Sequence, residues 1–167
     1  MKHTISVLVE NHAGVLSRIS GLFSRRGFNI DSLAVGVTDD PAVSRITIIA
    51  QGNDYTVEQI EKQLNKLIDV IKVKTLDVDE LLSRELLLIK ISVSADKRSE
   101  IMTIAEIMGA KIIDISLSTI TLEMSDTTYH LQRFEEMLKP YGIIEIVRTG
   151  SIAIQKGADT ITNKSNK

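Results

Sequence analysis

Asn11-His12-Ala13-Gly14 is the segment of this 167-residue chain best suited to hold a small anionic ligand. It joins an alternating apolar run, Ile5, Val7 and Val9, to a run at helical spacing, Val15, Leu16, Ile19, Leu22 and Phe23. A turn that feeds a helix presents free N–H groups, and the helix dipole favours a carboxylate beside them. Gly14 has no Cβ, so a ligand can approach the backbone closely. Taken alone, such a loop has a commoner reading, in which Asn11 caps the helix and Gly14 relieves strain. Asn29 heads the next strand-like run; its amide could read an ammonium or a carboxylate, or simply face water.

Other chemistry finds little support. His3, His12 and His130 share no metal-ligand spacing, so surface or capping roles are expected and no metal. The carboxylates form no recognisable acid–base pair in an apolar setting, and no serine sits in a G-x-S-x-G context. There are no cysteines, hence no disulfide framework and no thiol nucleophile. Arg25-Arg26 suits a helix C-terminus, and Met102, Met108 and Met137 suit a core. No catalytic residue is expected. A net charge of −2 argues against nucleic acid or an anionic membrane as partner. Only 4% of residues are aromatic and none is Trp, too few for a base-stacking surface. No signal-like h-region opens the chain and no apolar run spans a bilayer, so the cytoplasm is expected.

The elements that must position the loop alternate between period 2 and period 3.6. Strands are expected over 3–10, 29–38, 43–51 and 70–76. Helices are expected from Val15 to a stop at Gly27, and from a capping box at Thr56 and Gln59 through Val57, Ile60, Leu64, Leu67 and Ile68. The short Thr38-Asp39-Asp40-Pro41 link makes the middle strands a hairpin. This β-α-β-β-α-β order, with right-handed crossovers, is a ferredoxin-like sandwich with both helices on one face of a four-stranded antiparallel sheet.

The order then repeats after the acidic stretch Asp77-Val78-Asp79-Glu80. Strands are expected over 84–94, 111–117 and 119–124, helices around Ile101–Met108 and Leu131–Leu138, and a last strand from Ile143 that could run through Ile154. Gly27-Phe28-Asn29-Ile30-Asp31 and Gly109-Ala110-Lys111-Ile112-Ile113-Asp114 echo each other with one residue of slip. The fold class is therefore α+β, two ferredoxin-like sandwiches in tandem. The expected division is 1–78, 79–157 and a polar, disordered tail at 158–167.

The N-terminal motifs resemble a known family. The run from Ile5 through Asn11-His12-Ala13-Gly14-Val15-Leu16-Ser17-Arg18, and Gly21 to Leu33, is similar to the ACT domain of acetohydroxyacid (acetolactate) synthase small subunits. Thr38-Asp39-Asp40-Pro41, Ser44-Arg45-Ile46-Thr47 and Gln59 to Val70 extend the likeness. Arg84 to Lys90 and Ile112-Ile113-Asp114 carry it into the second half, so that it covers about residues 2 to 157. The resemblance implies a non-catalytic regulatory subunit that pairs into a homodimer. It also implies a branched-chain amino acid, valine foremost, bound between the loop–helix junction of one chain and a strand of the other. Asn11, Gly14 and Asn29 match the family's effector positions, with Ala13, Val15, Leu16 and Ile30 as pocket neighbours. The partner implied is a catalytic large subunit carrying thiamine diphosphate, Mg and FAD; no cofactor is expected on this chain. The second half has Ala95-Asp96-Lys97-Arg98 in place of the N-x-x-G loop, so no equivalent effector site is expected there.

Three alternatives use the same topology. An acylphosphatase-like enzyme wants an Arg in the first loop, and 11–14 has none. An RNA-binding module wants aromatics on its first and third strands, and 5–9 and 45–49 have none. A free-standing ACT-type amino-acid sensor for a different enzyme is the third, and only the family-specific motif stands against it.

Overall fold

The structure is a computed structural model that describes residues 1–162. The chain divides into two compact units, Met1–Ser83 together with the segment from Ser151 on, and Arg84–Gly150.

In the first unit the elements run β1 (Lys2–Glu10), α1 (Val15–Arg26), β2 (Ile30–Val37), β3 (Val43–Gln51), α2 (Asp54–Leu64) and β4 (Val70–Leu76). The sheet is antiparallel in the order β2-β3-β1-β4. Alternation puts Ile5, Val7 and Val9 of β1 and Ile46, Ile48 and Ala50 of β3 on one face. There they pack with Val15, Ile19, Leu22 and Phe23 of α1 and Val57, Ile60 and Leu64 of α2. Gly27 ends α1 in the left-handed region at φ 67°, where its N–H satisfies the last turn's carbonyls.

The second unit repeats the plan with β5 (Leu81–Ser92), α3 (Arg98–Met108), β6 (Lys111–Ile115), β7 (Thr119–Asp126), α4 (Thr128–Leu138) and β8 (Ile143–Arg148), in the order β6-β7-β5-β8. Leu87, Ile89 and Ile91 of β5 and Ile120 and Leu122 of β7 pack with Ile101, Leu131, Phe134 and Leu138. Gly109 ends α3 at φ 72° as Gly27 ends α1, which is the structural content of the faint internal repeat. Both units are ferredoxin-like sandwiches, the tandem α+β architecture expected.

Four local expectations change. The cap of α2 is Asn53, not Thr56: its Oδ1 accepts from Thr56 N at 2.8 Å, and the helix starts at Asp54. The last apolar run does not continue as one strand. Gly150 turns the chain at φ 78°, and β9 (Ile152–Gln155) follows separately. That segment belongs with the first unit rather than with 84–150. It crosses the sheet face opposite the helices: Ser151 N donates to Ser32 Oγ, Arg45 Nη2 to Ala153 O and Lys74 Nζ to Thr160 O. Thr47 and Ser6 are buried on that face, and burial lowers the Arg45 pKa. Finally, Ile161 of the expected disordered tail is buried and Thr160 O accepts from Lys74 Nζ, although Ala158, Thr160 and Thr162 are exposed; 163–167 lie outside the described residues.

Candidate functional site

The loop after β1 is held at both ends. Asn11 N donates to Ala42 O at 2.7 Å and Asn11 Nδ2 to Pro41 O at 2.8 Å, so Asn11 braces the β2–β3 turn and does not cap α1. The residue at the cap position is Gly14, at φ 90°, and no side chain caps the helix. The first-turn N–H groups, at Val15 to Ser17, thus have no intrahelical acceptor and point where a carboxylate could sit. Asn11 keeps its Oδ1 as an acceptor. Leu16 is 43% exposed beside these groups, whereas the Val15 side chain is packed in the core and can offer only its N–H. Ala13 is exposed.

Arg18, Asp69 and Glu10, which sequence reading did not place in the site, border this loop. A Cβ on Gly14 would lie 3.5 Å from Arg18 Nη1. Arg18 Nε donates to Asp69 Oδ2 at 2.6 Å, and this bond is the chief reason that the Asp69 carboxyl sits below its usual range. His12 Nε2 stands 3.1 Å from Asp69 Oδ1 and 3.2 Å from Glu10 Oε2. Its pKa is raised, first by the hydrogen bond of Nδ1 to Ala13 O, then by Glu10 and Asp69.

Asn29 and Ile30 are elsewhere. Ile30 pairs with Ala50, which pairs with His3, whereas the loop follows Glu10 at the other end of β1. Seven residues of strand separate the two rows, roughly 24 Å at about 3.4 Å per residue. Within one chain, therefore, Asn11 to Leu16 form one group and Asn29 with Ile30 another. Asn29 Nδ2 donates to Asp31 Oδ1 at 3.0 Å, leaving its own Oδ1 as an acceptor.

In the second unit, Ala95-Asp96-Lys97-Arg98 borders a cleft of about 420 Å³ lined by Ser92, Ser94, Lys97, Glu100, Pro140 and Tyr141. Its charges satisfy each other: Lys97 Nζ donates to Glu100 Oε1 at 2.8 Å, and Tyr141 Oη to Glu100 Oε2 at 3.0 Å.

A family model described as AHAS small subunit-like ACT domain matches residues 5–72, and one described as small subunit of acetolactate synthase matches 84–157. The chain belongs to the acetolactate synthase small-subunit family. It is 47% identical over 155 residues to the acetolactate synthase small subunit of Mycolicibacterium smegmatis, covering 93% of this chain and 91% of that one. Against the same subunit of Mycobacterium leprae the identity is 44%, covering 93% and 92%. The crystal structure of the acetolactate synthase small subunit from Thermotoga maritima superposes with a TM-score of 0.89 at 38% identity, covering 95% and 99%. The Asn11–Leu16 loop lies inside the ACT match, as do Asn29 and Ile30. The second match begins where the second unit does and runs on through β9. No helix among the described residues is long and apolar enough to cross a membrane.

Proposed function

We propose that this small subunit is non-catalytic and regulates acetolactate synthase by binding a branched-chain amino acid, valine foremost, across a homodimer of its ACT domain, residues 1–78. The observation that carries this reading is the separation of the site residues into two groups at opposite ends of one sheet. β2 is an edge strand. It runs from the Ile30 end of the sheet toward the Asn11 end, since Val37 pairs with Ser44 and Ser44 with Val9. A two-fold, antiparallel pairing of β2 with its copy would bring Asn29 and Ile30 of the second chain to the Asn11–Leu16 loop of the first.

Such a pocket would meet each part of a zwitterion. The uncapped N–H groups behind Gly14 take the carboxylate. The Oδ1 atoms of Asn11 and of the second chain's Asn29 take the ammonium, and Leu16 and Ile30 face a short apolar side chain. A ligand that bridges two chains binds one dimer geometry better than another. It can therefore shift the state presented to a catalytic large subunit, to which thiamine diphosphate, Mg and FAD belong on this reading. The cytoplasm is the setting this implies.

Titration calorimetry with valine tests the reading. Wild type should give saturable heat, and Gly14→Asp should lose it, because the aspartate sets a negative charge where the carboxylate binds. No heat from an intact wild-type dimer, or undiminished heat from the variant, would remove the assignment.

A further inference from the structure

Glu10, His12 and Asp69 form a second chemical unit beside the loop, one that the amino-acid reading does not use. The backbone builds it. β1 ends at Glu10 and β4 begins at Val70, and Glu10 N donates to Asp69 O at 2.9 Å, so the two carboxylates leave neighbouring strands side by side. The turn then folds His12 back over both. One ligand atom from each residue, Glu10 Oε2, His12 Nε2 and Asp69 Oδ1, lies within 4.8 Å of the others.

The orientation of the imidazole matters more than the proximity. Its Nδ1 is 3.1 Å from Ala13 O. A carbonyl oxygen only accepts, so Nδ1 carries the hydrogen, and in the neutral ring the Nε2 lone pair points at the two carboxylates. Three donor atoms therefore lie close together, and the Nε2 lone pair facing two carboxylates calls for a positive charge between them: a proton on Nε2, which makes the two ion pairs, or a metal ion that displaces it. Asp69 is nine-tenths buried, at 8% exposure. Arg18 Nε holds its Oδ2 at 2.6 Å, which leaves Oδ1 for the shared point. Metal-binding histidines and carboxylates are commonly oriented in this way, the histidine by a carbonyl on its other nitrogen and the carboxylate by a second hydrogen bond.

The spacing fits a small ion. Tetrahedral zinc with N and O ligands at 2.0–2.2 Å places neighbouring donors about 3.3 Å apart. His12 Nε2 stands 3.2 Å from Glu10 Oε2 and 3.1 Å from Asp69 Oδ1. A mixed imidazole–carboxylate set suits Zn²⁺, Co²⁺ or Ni²⁺ rather than Ca²⁺ or Mg²⁺, which favour all-oxygen shells. The side chains of Glu10 and His12 are about half exposed, which leaves the outer side open to water.

We propose that Glu10 Oε2, His12 Nε2 and Asp69 Oδ1 are three ligands of a site for a divalent transition-metal ion of the zinc class, with a fourth position left to water. The ion would pin the β1–α1 turn to the start of β4. The site does not depend on valine binding and is tested without it.

The test is titration of metal-free protein, carrying no polyhistidine tag, with ZnCl₂ by calorimetry and with CoCl₂ by visible absorption. Saturable binding of one ion per chain is expected, with the intense Co²⁺ bands of a four-coordinate site. His12→Gln changes a half-exposed side chain, its fold checked by an unchanged melting temperature in metal-free protein, and it should weaken binding by at least about tenfold. Glu10→Gln should weaken it in the same direction. His130→Gln should have no effect; it removes a second histidine–carboxylate pair, His130 Nδ1 with Asp126 Oδ2 at 3.2 Å. Absence of saturable binding, unchanged affinity in His12→Gln, or loss in His130→Gln instead would each overturn the site.

Discussion

Asp31 ties three separate stretches of chain together. Its carboxylate accepts from Gln51 Nε2 at 2.9 and 3.1 Å, pairs with Lys2 Nζ at 2.9 Å, and accepts from Asn29 Nδ2 at 3.0 Å. These contacts, the Gln51 bond first, hold its pKa below the usual carboxylate value. A depressed folded-state pKa means stability that is present above the unfolded pKa of about 3.9 and is lost as pH falls through the folded value. Asp31→Asn should therefore melt below wild type at pH 7, and the gap should close as the pH is lowered past 4. A gap in melting temperature that stays constant from pH 7 to pH 3 would show that the charge of Asp31 contributes nothing. At this scale the sequence is a partial guide. Asn11, Gly14 and Asn29 stand out because an N-x-x-G turn before a helix is a local pattern. Arg18 and Asp69 do not stand out, since 51 residues separate them and Arg18 lies on the polar face of a helix. His12 reads as a surface histidine because its carboxylate at Asp69 arrives only when β4 folds beside β1.

Elements were legible where a face is buried and less so at their ends. Ile5, Val7 and Val9 or Leu87, Ile89 and Ile91 leave no doubt about which side faces a core. Thr56 with Gln59 fits a capping box, yet Asn53 three residues earlier takes the cap. Both the N–H and the hydroxyl of Thr56 donate to Asn53 Oδ1 at 2.8 Å. Asn53→Ala should cost about 1 kcal/mol of stability. Thr56→Ala should cost less, because it leaves the backbone bond in place. Urea unfolding would check the order; an Asn53→Ala variant as stable as wild type would return the cap to Thr56. The end of the second unit was harder to read. Ile143 to Val147 and Ile152 to Ile154 are both largely apolar, and hydropathy cannot see that Gly150 turns the backbone between them and sends β9 across the sheet of the first unit. Only the small residues inside the run, Thr149-Gly150-Ser151, signal the break.

At the scale of the whole molecule, one chain does not contain the complete proposed pocket. Periodicity could not reveal this, because it fixes which face a residue takes but not which end of the sheet meets a second copy. The register supplies what periodicity lacks: Ile30 shares a row with His3, and the Asn11–Leu16 loop follows Glu10. On the proposed reading, a two-fold dimer would hold two pockets, each made from the loop of one chain and the β2 start of the other. This arrangement has a consequence that a pocket within one chain cannot imitate. Gly14→Asp and Asn29→Ala should each abolish valine binding as homodimers. In a heterodimer purified with one variant of each kind, one pocket collects both lesions and the other collects none. That heterodimer should bind valine at half the wild-type stoichiometry and with wild-type affinity. If each chain carried its own site, every site in the heterodimer would be damaged, and calorimetry would record no heat at all.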